Sequence, residues 1–127
     1  MGDMKMKHLL IVDDQPGIRL LLEEIFKPTG IMTALASNGK EALEKVSEQQ
    51  PDCILLDMKM PGMNGVEVLR EIRTLLPDAI VMMMTAYSET EMLEEANKLG
   101  IEQHFTKPFD IFEVRDSVLK RLELLDV

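Results

Sequence analysis

The chain has 127 residues, of which 46% are hydrophobic and 29% charged, and its formal net charge is -9 at pH 7. This length suits a single core, and we expect residues 1–127 to form one domain with no output domain. The acidic balance argues against nucleic-acid binding, which needs concentrated Lys and Arg, and it favours divalent cations and basic partner surfaces.

Neither a membrane segment nor an export signal is visible in the sequence. No apolar run approaches the about 18 residues that a membrane span needs, and the first seven residues, MGDMKMK, contain no signal-peptide core. The single cysteine, Cys53, lies inside an apolar run without a partner in the chain, so we interpret it as a buried small hydrophobe rather than a nucleophile. These observations predict a cytoplasmic protein.

Short apolar runs and amphipathic segments alternate along the chain. Strands are predicted at 8–12, 31–36, 53–56, 79–84 and 101–106, and the helices between and after them at 15–27, 40–48, 66–76, after Ser88 and after Asp110. Ser88 and Glu91 fit a capping box at the start of the fourth helix. Such alternation with short connections predicts a five-stranded parallel sheet with helices on both faces and right-handed crossovers.

The third strand is the centre of this pattern. Cys53 to Leu56 are apolar without polar alternation, which is typical of a strand buried on both faces, and turn residues follow at Pro61-Gly62 and Asn64-Gly65. Asp57 is therefore predicted at the carboxyl end of a central strand. In open α/β sheets, ligands bind at that edge.

Other strands also end in polar residues. Asp13 and Asp14 follow the first strand, Thr85 the fourth and Lys107 the fifth. Neighbouring residues of a strand point to opposite faces, so Asp13 and Asp14 converge only if the strand breaks there, as the helix opening at Pro16 requires. Three carboxylates about 5 Å apart repel by about 3 kcal/mol per pair at an effective dielectric of about 20. The site therefore needs a cation.

Hard, water-exposed oxygen ligands predict Mg²⁺, with Mn²⁺ as a substitute. Calcium is disfavoured because no twelve-residue loop of ligands is present. Beside such an ion, Lys107 could offset the charge of an incoming phosphoryl oxygen and Thr85 could donate a hydroxyl hydrogen bond to another. His8 and His104 are interpreted as structural or surface residues, since Mg²⁺ does not favour imidazole.

Taken together, these motifs resemble the receiver domain of bacterial response regulators. The resemblance covers essentially the whole chain and rests on Asp13-Asp14, Asp57, Thr85-Ala86 and Lys107-Pro108, each following an apolar run. Within the family, the chain is most similar to the single-domain regulator type of sporulation phosphorelays, through the stretches LIVDDQ (10–15), LLDMK (55–59), MTAY (84–87) and FTKPFD (105–110). The resemblance implies a flavodoxin-like (βα)5 fold with strand order 2-1-3-4-5.

The resemblance also implies the roles of the site residues. Asp57 would be the phosphoacceptor, which attacks the phosphoryl group of a phosphohistidine, so the chain would be a phosphoacceptor that assists its own reaction rather than an enzyme. Thr85 and Lys107 would contact the phosphoryl oxygens, and Tyr87 would shift as the site changes state. The Mg²⁺ ligands would be the carboxylates of Asp13, Asp14 and Asp57 and the backbone carbonyl of Lys59.

Partners implied by the resemblance are a sensor histidine kinase as donor and a His-containing phosphotransferase as acceptor, with the chain a monomer or weak dimer. The matching partner-binding positions are Gln15, Gly17, Ile18, Leu21, Pro108, Phe109 and Ile111. The apolar residues of the first helix span about 140° at about 100° per residue, so Ile18 and Leu21 either reach the surface or form the edge of the core. Pro16 departs from the residue usual in the sporulation-type regulator, and Asn64 stands where the family often has an acid; these departures affect partner choice more than chemistry.

One further hypothesis concerns Lys59, whose long side chain could shield the acyl phosphate from water and slow self-dephosphorylation. Three rival functions stay open. A chemotaxis-like receiver would bind a target protein without passing the phosphoryl group on. A haloacid dehalogenase-type phosphatase would need Asp-x-Asp rather than adjacent Asp13-Asp14, and a flavodoxin-like FMN binder would need a Ser/Thr-rich loop after the first strand.

Overall fold

The computed structural model describes residues 6 to 124, so residues 1 to 5, where no export signal is expected, lie outside this range. The strands are His8–Val12 (β1), Met32–Ala36 (β2), Cys53–Asp57 (β3), Ile80–Thr85 (β4) and Gln103–Thr106 (β5). The helices are Pro16–Phe26 (α1), Gly39–Glu48 (α2), Gly65–Leu75 (α3), Thr90–Lys98 (α4) and Ile111–Arg121 (α5), with a 3₁₀ turn at Lys27–Thr29.

All neighbouring strands pair in parallel, in the order β2-β1-β3-β4-β5. This confirms the predicted fold class and strand order. From β1 the chain moves outward to β2, and from β3 it moves outward on the other side to β4 and β5. The connections therefore diverge between β1 and β3, and a crevice forms at the carboxyl edge there.

The two-residue period of the strands sorts their side chains into two cores. In β1 and β3, odd-numbered residues such as Leu9, Cys53 and Leu55 pack with α1 and α5, and even-numbered residues such as Leu10 and Ile54 pack with α2, α3 and α4. Both rows are buried along β3, which confirms the prediction of a strand covered on both faces. The edge strands β2 and β5 are more exposed.

The predicted capping box at Ser88 and Glu91 is wrong. Helix α4 begins at Thr90 after Glu89, and no side chain caps it. A capping box is found instead at α3, where the Asn64 side chain accepts the Glu67 N–H at 3.0 Å and the Glu67 carboxylate accepts the Asn64 N–H at 2.9 Å. Both sequences satisfy the spacing, and the course of the loop decides which one forms the pair.

Strand boundaries also differ slightly from the prediction. β4 includes Thr85, whereas β2 begins at Met32 and β5 at Gln103, one and two residues later than expected. Ahead of β5, Glu102 already donates its N–H to the Val81 carbonyl at 2.8 Å, so the chain approaches the sheet before regular pairing starts. Because edge strands pair on one side only, their ends are the least constrained by the sequence pattern.

Cys53 is fully buried in the α1/α5 core, and burial raises the pKa of its thiol to about 12. It therefore behaves as the small hydrophobe that the sequence predicts. Across residues 6 to 124, none of the helices combines the length and apolar character needed to cross a membrane.

Candidate functional site

The strand register brings three predicted site residues to one place. Asp13, Asp57 and Lys107 continue the odd-numbered rows of β1, β3 and β5, so all three leave the carboxyl edge of the sheet on the α1/α5 face. Asp13 is completely buried and Asp57 is 4% exposed. Two carboxylates are thus held largely out of water at the crevice between β1 and β3.

Lys107 provides the positive charge between them. Its ammonium Nζ lies 3.1 Å from Asp13 Oδ2 and 3.2 Å from Asp57 Oδ1. To reach β1 and β3 from β5, the side chain must cross the end of β4, and neighbouring strands are about 4.8 Å apart. Only a long side chain covers that span. The predicted proximity of Lys107 to the acidic cluster is therefore present.

Backbone contacts fix Asp13 where β1 ends. The Gln15 N–H donates to Asp13 Oδ1 at 2.9 Å, and the Asp13 N–H donates to the Ala36 carbonyl at 3.1 Å. Arg19 Nη1 donates to the Asp13 carbonyl oxygen at 2.7 Å. The strand-to-helix break is thus stabilised by hydrogen bonds on both sides of Asp13, as the convergence of Asp13 and Asp14 requires.

Carboxylate oxygens of Asp13, Asp14 and Asp57 lie within 4.8 Å of one another. Both Asp13 oxygens accept hydrogen bonds and one Asp57 oxygen contacts Lys107. Within the described part of the chain, the half-buried Asp14 carboxylate accepts none. An incoming cation would therefore find its least occupied ligands at Asp14 and at the second oxygen of Asp57, and this hard, acidic donor set fits Mg²⁺.

Burial and charge perturb both partners of the central ion pair. Burial, reinforced by the negative charge of Asp13 and opposed by Lys107, raises the pKa of Asp57 to about 7. Burial alone would lower the pKa of Lys107, but the charges of Asp57 and Asp13 outweigh it and raise that pKa. The pocket therefore favours any added positive charge, and a metal ion would return Asp57 to its ionised, nucleophilic form.

The other predicted site residues surround this centre. Thr85 is 2% exposed, and its carbonyl accepts the Lys107 N–H at 2.6 Å, so it extends the ladder between β4 and β5 beside the pocket. Lys59 is exposed on the loop after β3. Tyr87 is 82% exposed, so it contributes little packing. Its shift with the state of the site stays a prediction.

The predicted partner surface is accessible beside the pocket. Gln15, Gly17 and Pro108 are exposed, Leu21 is 45% exposed, and Ile18, Phe109 and Ile111 are half-buried. Of the two readings of α1, the structure places Leu21 at the surface and Ile18 at the edge of the α1/α5 core.

Three features of the site went unrecognised in the sequence. Arg19 supports the Asp13 backbone, Glu89 binds the backbone after Thr85, and Leu20 is 57% exposed on the outer side of α1. An apolar residue off the core stripe at the 3.6-residue period was the available indication for Leu20. The contacts of Arg19 and Glu89 depend on loop geometry and leave no periodic pattern.

Comparison with known proteins agrees with this geometry. Residues 9–119 match the response regulator receiver domain model. The chain is 49% identical over 121 residues to sporulation initiation phosphotransferase F of Bacillus subtilis (95% of this chain, 98% of the relative), and 36% identical over 115 residues to chemotaxis protein CheY of Thermotoga maritima (90% and 96%). A CheY-like receiver domain structure from Methanospirillum hungatei superimposes with a TM-score of 0.88 at 26% identity, covering 94% of this chain and 95% of that one. The chain belongs to the response regulator receiver domain family.

Proposed function

We propose that this chain is a receiver domain working in a two-component phosphorelay, and that it accepts a phosphoryl group on Asp57 and passes it on. The observation that carries the proposal is the contact of Lys107 with both Asp13 and Asp57 at the carboxyl edge of the sheet. A buried carboxylate beside one lysine ammonium and one half-buried acid suits a group whose oxygens carry negative charge, once a cation is also bound.

The donor is a phosphohistidine of a sensor kinase. An Asp57 carboxylate oxygen forms a bond to phosphorus while the phosphorus–nitrogen bond breaks, and the imidazole keeps the electron pair and takes up a proton. Lys107 moves from the carboxylates to a phosphoryl oxygen, and the Thr85 hydroxyl donates to another. The protein contributes alignment and charge compensation, which account for most catalysis of phosphoryl transfer. Hydrolysis of the acyl phosphate or transfer to a second His reverses the state.

The Mg²⁺ ligands we propose are the carboxylates of Asp13, Asp14 and Asp57 and the backbone carbonyl of Lys59. Of these, Asp13 already accepts a hydrogen bond on each of its two oxygens. When bound, Mg²⁺ would supply the charge that offsets the phosphoryl oxygens in the transition state. Mn²⁺, with the same preference for oxygen ligands, would substitute.

The acceptor is the His of a phosphotransferase of the kind found in a sporulation relay. Two features support this reading: the 49% identity to sporulation initiation phosphotransferase F over nearly the full length of both chains, and the exposed apolar side of α1 next to the pocket. Gly17, Leu20, Leu21 and Glu24 recur at helical spacing and so form one outward stripe. The two exposed leucines of this stripe, Leu20 and Leu21, suit packing against the helices of a His-bearing bundle.

The phosphoacceptor is tested by incubating the protein with Mg²⁺ and acetyl phosphate and measuring its intact mass. Wild type should gain one phosphoryl group, Asp57→Asn none, and the control Asp116→Asn, a half-buried acid of α5 that pairs with Arg115, the same as wild type. Omitting Mg²⁺ should abolish the gain. Phosphorylation of Asp57→Asn to the wild-type extent would contradict the assignment.

The relay is tested by mixing the labelled phosphoprotein with a His phosphotransferase of a sporulation relay. Movement of the label to the phosphotransferase supports the relay, and retention with phosphorylation-dependent binding of another protein would favour a chemotaxis-like function. Leu21→Ala should slow transfer by about tenfold, as expected for loss of an apolar anchor. The control Leu75→Ala removes a leucine of similar exposure (51%) from α3, which packs on the opposite face of the sheet, and it should leave the rate unchanged.

A further inference from the structure

The first backbone N–H after β4, that of Ala86, does not bond to the neighbouring strand β3. The carbonyl of Met84 accepts the Met58 N–H at 2.9 Å, so residue 84 faces β3. In a parallel sheet alternate residues bond to the same neighbour, and the next bond on that side would join the Ala86 N–H to the Met58 carbonyl. That carbonyl instead accepts the Gly65 N–H at 2.6 Å. The Ala86 N–H is therefore left without a ladder partner, on the side of the strand that ends at Asp57.

The side chain of Glu89 accepts the hydrogen bond of this N–H. The Ala86 N–H donates to Glu89 Oε1 at 2.8 Å, and the Glu89 N–H donates to the Ala86 carbonyl at 3.0 Å. These two bonds close a four-residue loop, 86–89, which carries the exposed Tyr87. Although Glu89 directly precedes α4, its side chain does not cap that helix. The carboxylate is directed back toward the pocket end of β4.

A phosphoryl group on Asp57 would compete for the same donor. Asp57 pairs with Met84 in the register, so the Ala86 amide is the next donor along β4 on the β3 side, directly after Thr85. Backbone N–H groups bind phosphate oxygens strongly. One N–H cannot serve both acceptors well, and a phosphoryl group with a charge of about -1.5 to -2 also repels a nearby carboxylate.

We propose that Glu89 is a positioning residue that holds the Ala86 amide until a phosphoryl group occupies Asp57, and that a phosphoryl oxygen then displaces its carboxylate and opens the 86–89 loop. The proposal rests on the phosphoacceptor role of Asp57 proposed above. Phosphorylation would thereby change the conformation of a defined segment, because release of Glu89 frees the loop 86–89, which carries Tyr87 and leads into α4. When the phosphoryl group leaves, the carboxylate recovers the amide and the loop closes.

The test uses beryllofluoride, a mimic of the acyl phosphate, titrated with Mg²⁺ into wild type, Glu89→Ala, Glu89→Gln and the control Glu91→Ala. Binding is followed by the fluorescence of Tyr87, the single tyrosine in a chain without tryptophan. Glu89→Ala should bind about three- to tenfold more tightly than wild type, the effect of one competing hydrogen bond. Glu89→Gln keeps a neutral acceptor and should lie between them. Glu91→Ala removes the same charge from the first turn of α4 and should match wild type.

A second measurement separates competition from a general loosening of the fold. Amide exchange of Ala86 in the unmodified protein should be faster in Glu89→Ala than in Glu91→Ala, with equal unfolding midpoints. If Glu89→Ala binds beryllofluoride no more tightly than Glu91→Ala, the displacement proposal is wrong. If wild type and all variants fail to bind it, the phosphoacceptor role of Asp57 is wrong, and the role of Glu89 with it.

Discussion

Lys107 determines the electrostatics of the pocket. It is about three-quarters buried, with a side-chain exposure of 25%, and contacts two carboxylates that are almost fully buried. A buried acid without a partner would cost several kcal/mol, about the cost of breaking a buried ion pair. The repulsion expected among the three acids is thus relieved in part by a resident cation, which a phosphoryl group can then attract away.

The raised pKa of Asp57 makes the stability of the metal-free protein depend on pH. The unfolded carboxyl ionises near its ordinary value of 3.8 and the folded one near 7, so the folded state holds the extra proton between these values. The free energy of unfolding should therefore fall as pH rises from about 4 to about 7. Asp57→Asn should remove this fall and be about 1–3 kcal/mol more stable than wild type at pH 8.

Urea unfolding at pH 4.5 and pH 8, with and without Mg²⁺, measures this effect. Mg²⁺ should stabilise wild type at pH 8 and have little effect on Asp57→Asn. Glu44→Gln, which neutralises an exposed acid on α2, serves as the control and should follow the wild-type pH profile. If the free energy of unfolding changes equally with pH in wild type and in Asp57→Asn, the raised pKa of Asp57 is contradicted.

Lys59 offers a second test at the level of one side chain. Its exposed position on the loop after Asp57 is compatible with the predicted shielding of the acyl phosphate from water. Lys59→Asn should shorten the phosphoprotein lifetime several-fold, measured as loss of label after removal of acetyl phosphate. Lys120→Asn, an equally charged change on α5 at the opposite edge of the sheet, should not. An unchanged lifetime in Lys59→Asn would refute the shielding hypothesis.

Among the elements, helices α3 and α4 begin differently although both are preceded by a possible cap. The Asn64 side chain accepts the Glu67 N–H in the first turn of α3, whereas Ser88 makes no cap bond to α4. The loop before α4 is instead held by Glu89 and Ala86. The start of α3 therefore depends on a capping bond to the first turn of the helix, and the start of α4 on a bond from Glu89 to the preceding loop.

Asn64→Ala should lower the free energy of unfolding by about 1 kcal/mol, the usual cost of losing an N-cap. Ser88→Ala should change it by less than about 0.5 kcal/mol, as for a surface substitution. Thermal or urea denaturation of the two variants against wild type compares them directly. If Ser88→Ala lowers the free energy of unfolding more than Asn64→Ala does, the predicted Ser88 cap would be supported after all.

At the scale of the whole molecule, the site depends on how closely α3 approaches the end of β3. A Cβ added at Gly65 would lie 2.6 Å from the Asp57 carbonyl oxygen and 2.8 Å from Met58 Cα, both backbone atoms. At Gly17, on the free side of α1, a Cβ would meet no heavy atom within 4 Å. The two glycines look alike in the sequence, but only Gly65 is required by packing.

Gly65→Ala should therefore cost about 2 kcal/mol or more, as overpacking does, and should reduce phosphorylation because the Asp57 backbone must move. Gly17→Ala should be neutral or stabilising by up to about 1 kcal/mol, since alanine suits a helix better. Unfolding curves and the acetyl phosphate assay test both. If Gly65→Ala changes neither the unfolding curve nor phosphorylation, the β3–α3 junction accommodates a larger side chain than its contacts indicate.

The sequence by itself determined the alternation of elements, the buried central strand and the set of acids and lysine at the strand ends. These follow from local periodicity and from the rule that parallel strands end at one edge, and each is legible within a short window of residues. The family resemblance supplied the strand order and the roles of the site residues.

Only the tertiary structure decided the contact of Lys107 with Asp13, 94 residues away in sequence, the true cap of α3, the exposure of Leu20 and the hold of Glu89 on Ala86. Each of these depends on where a loop or a neighbouring strand places a hydrogen-bonding group. Helical and strand periods carry no information about that placement, because many loop paths satisfy the same spacing.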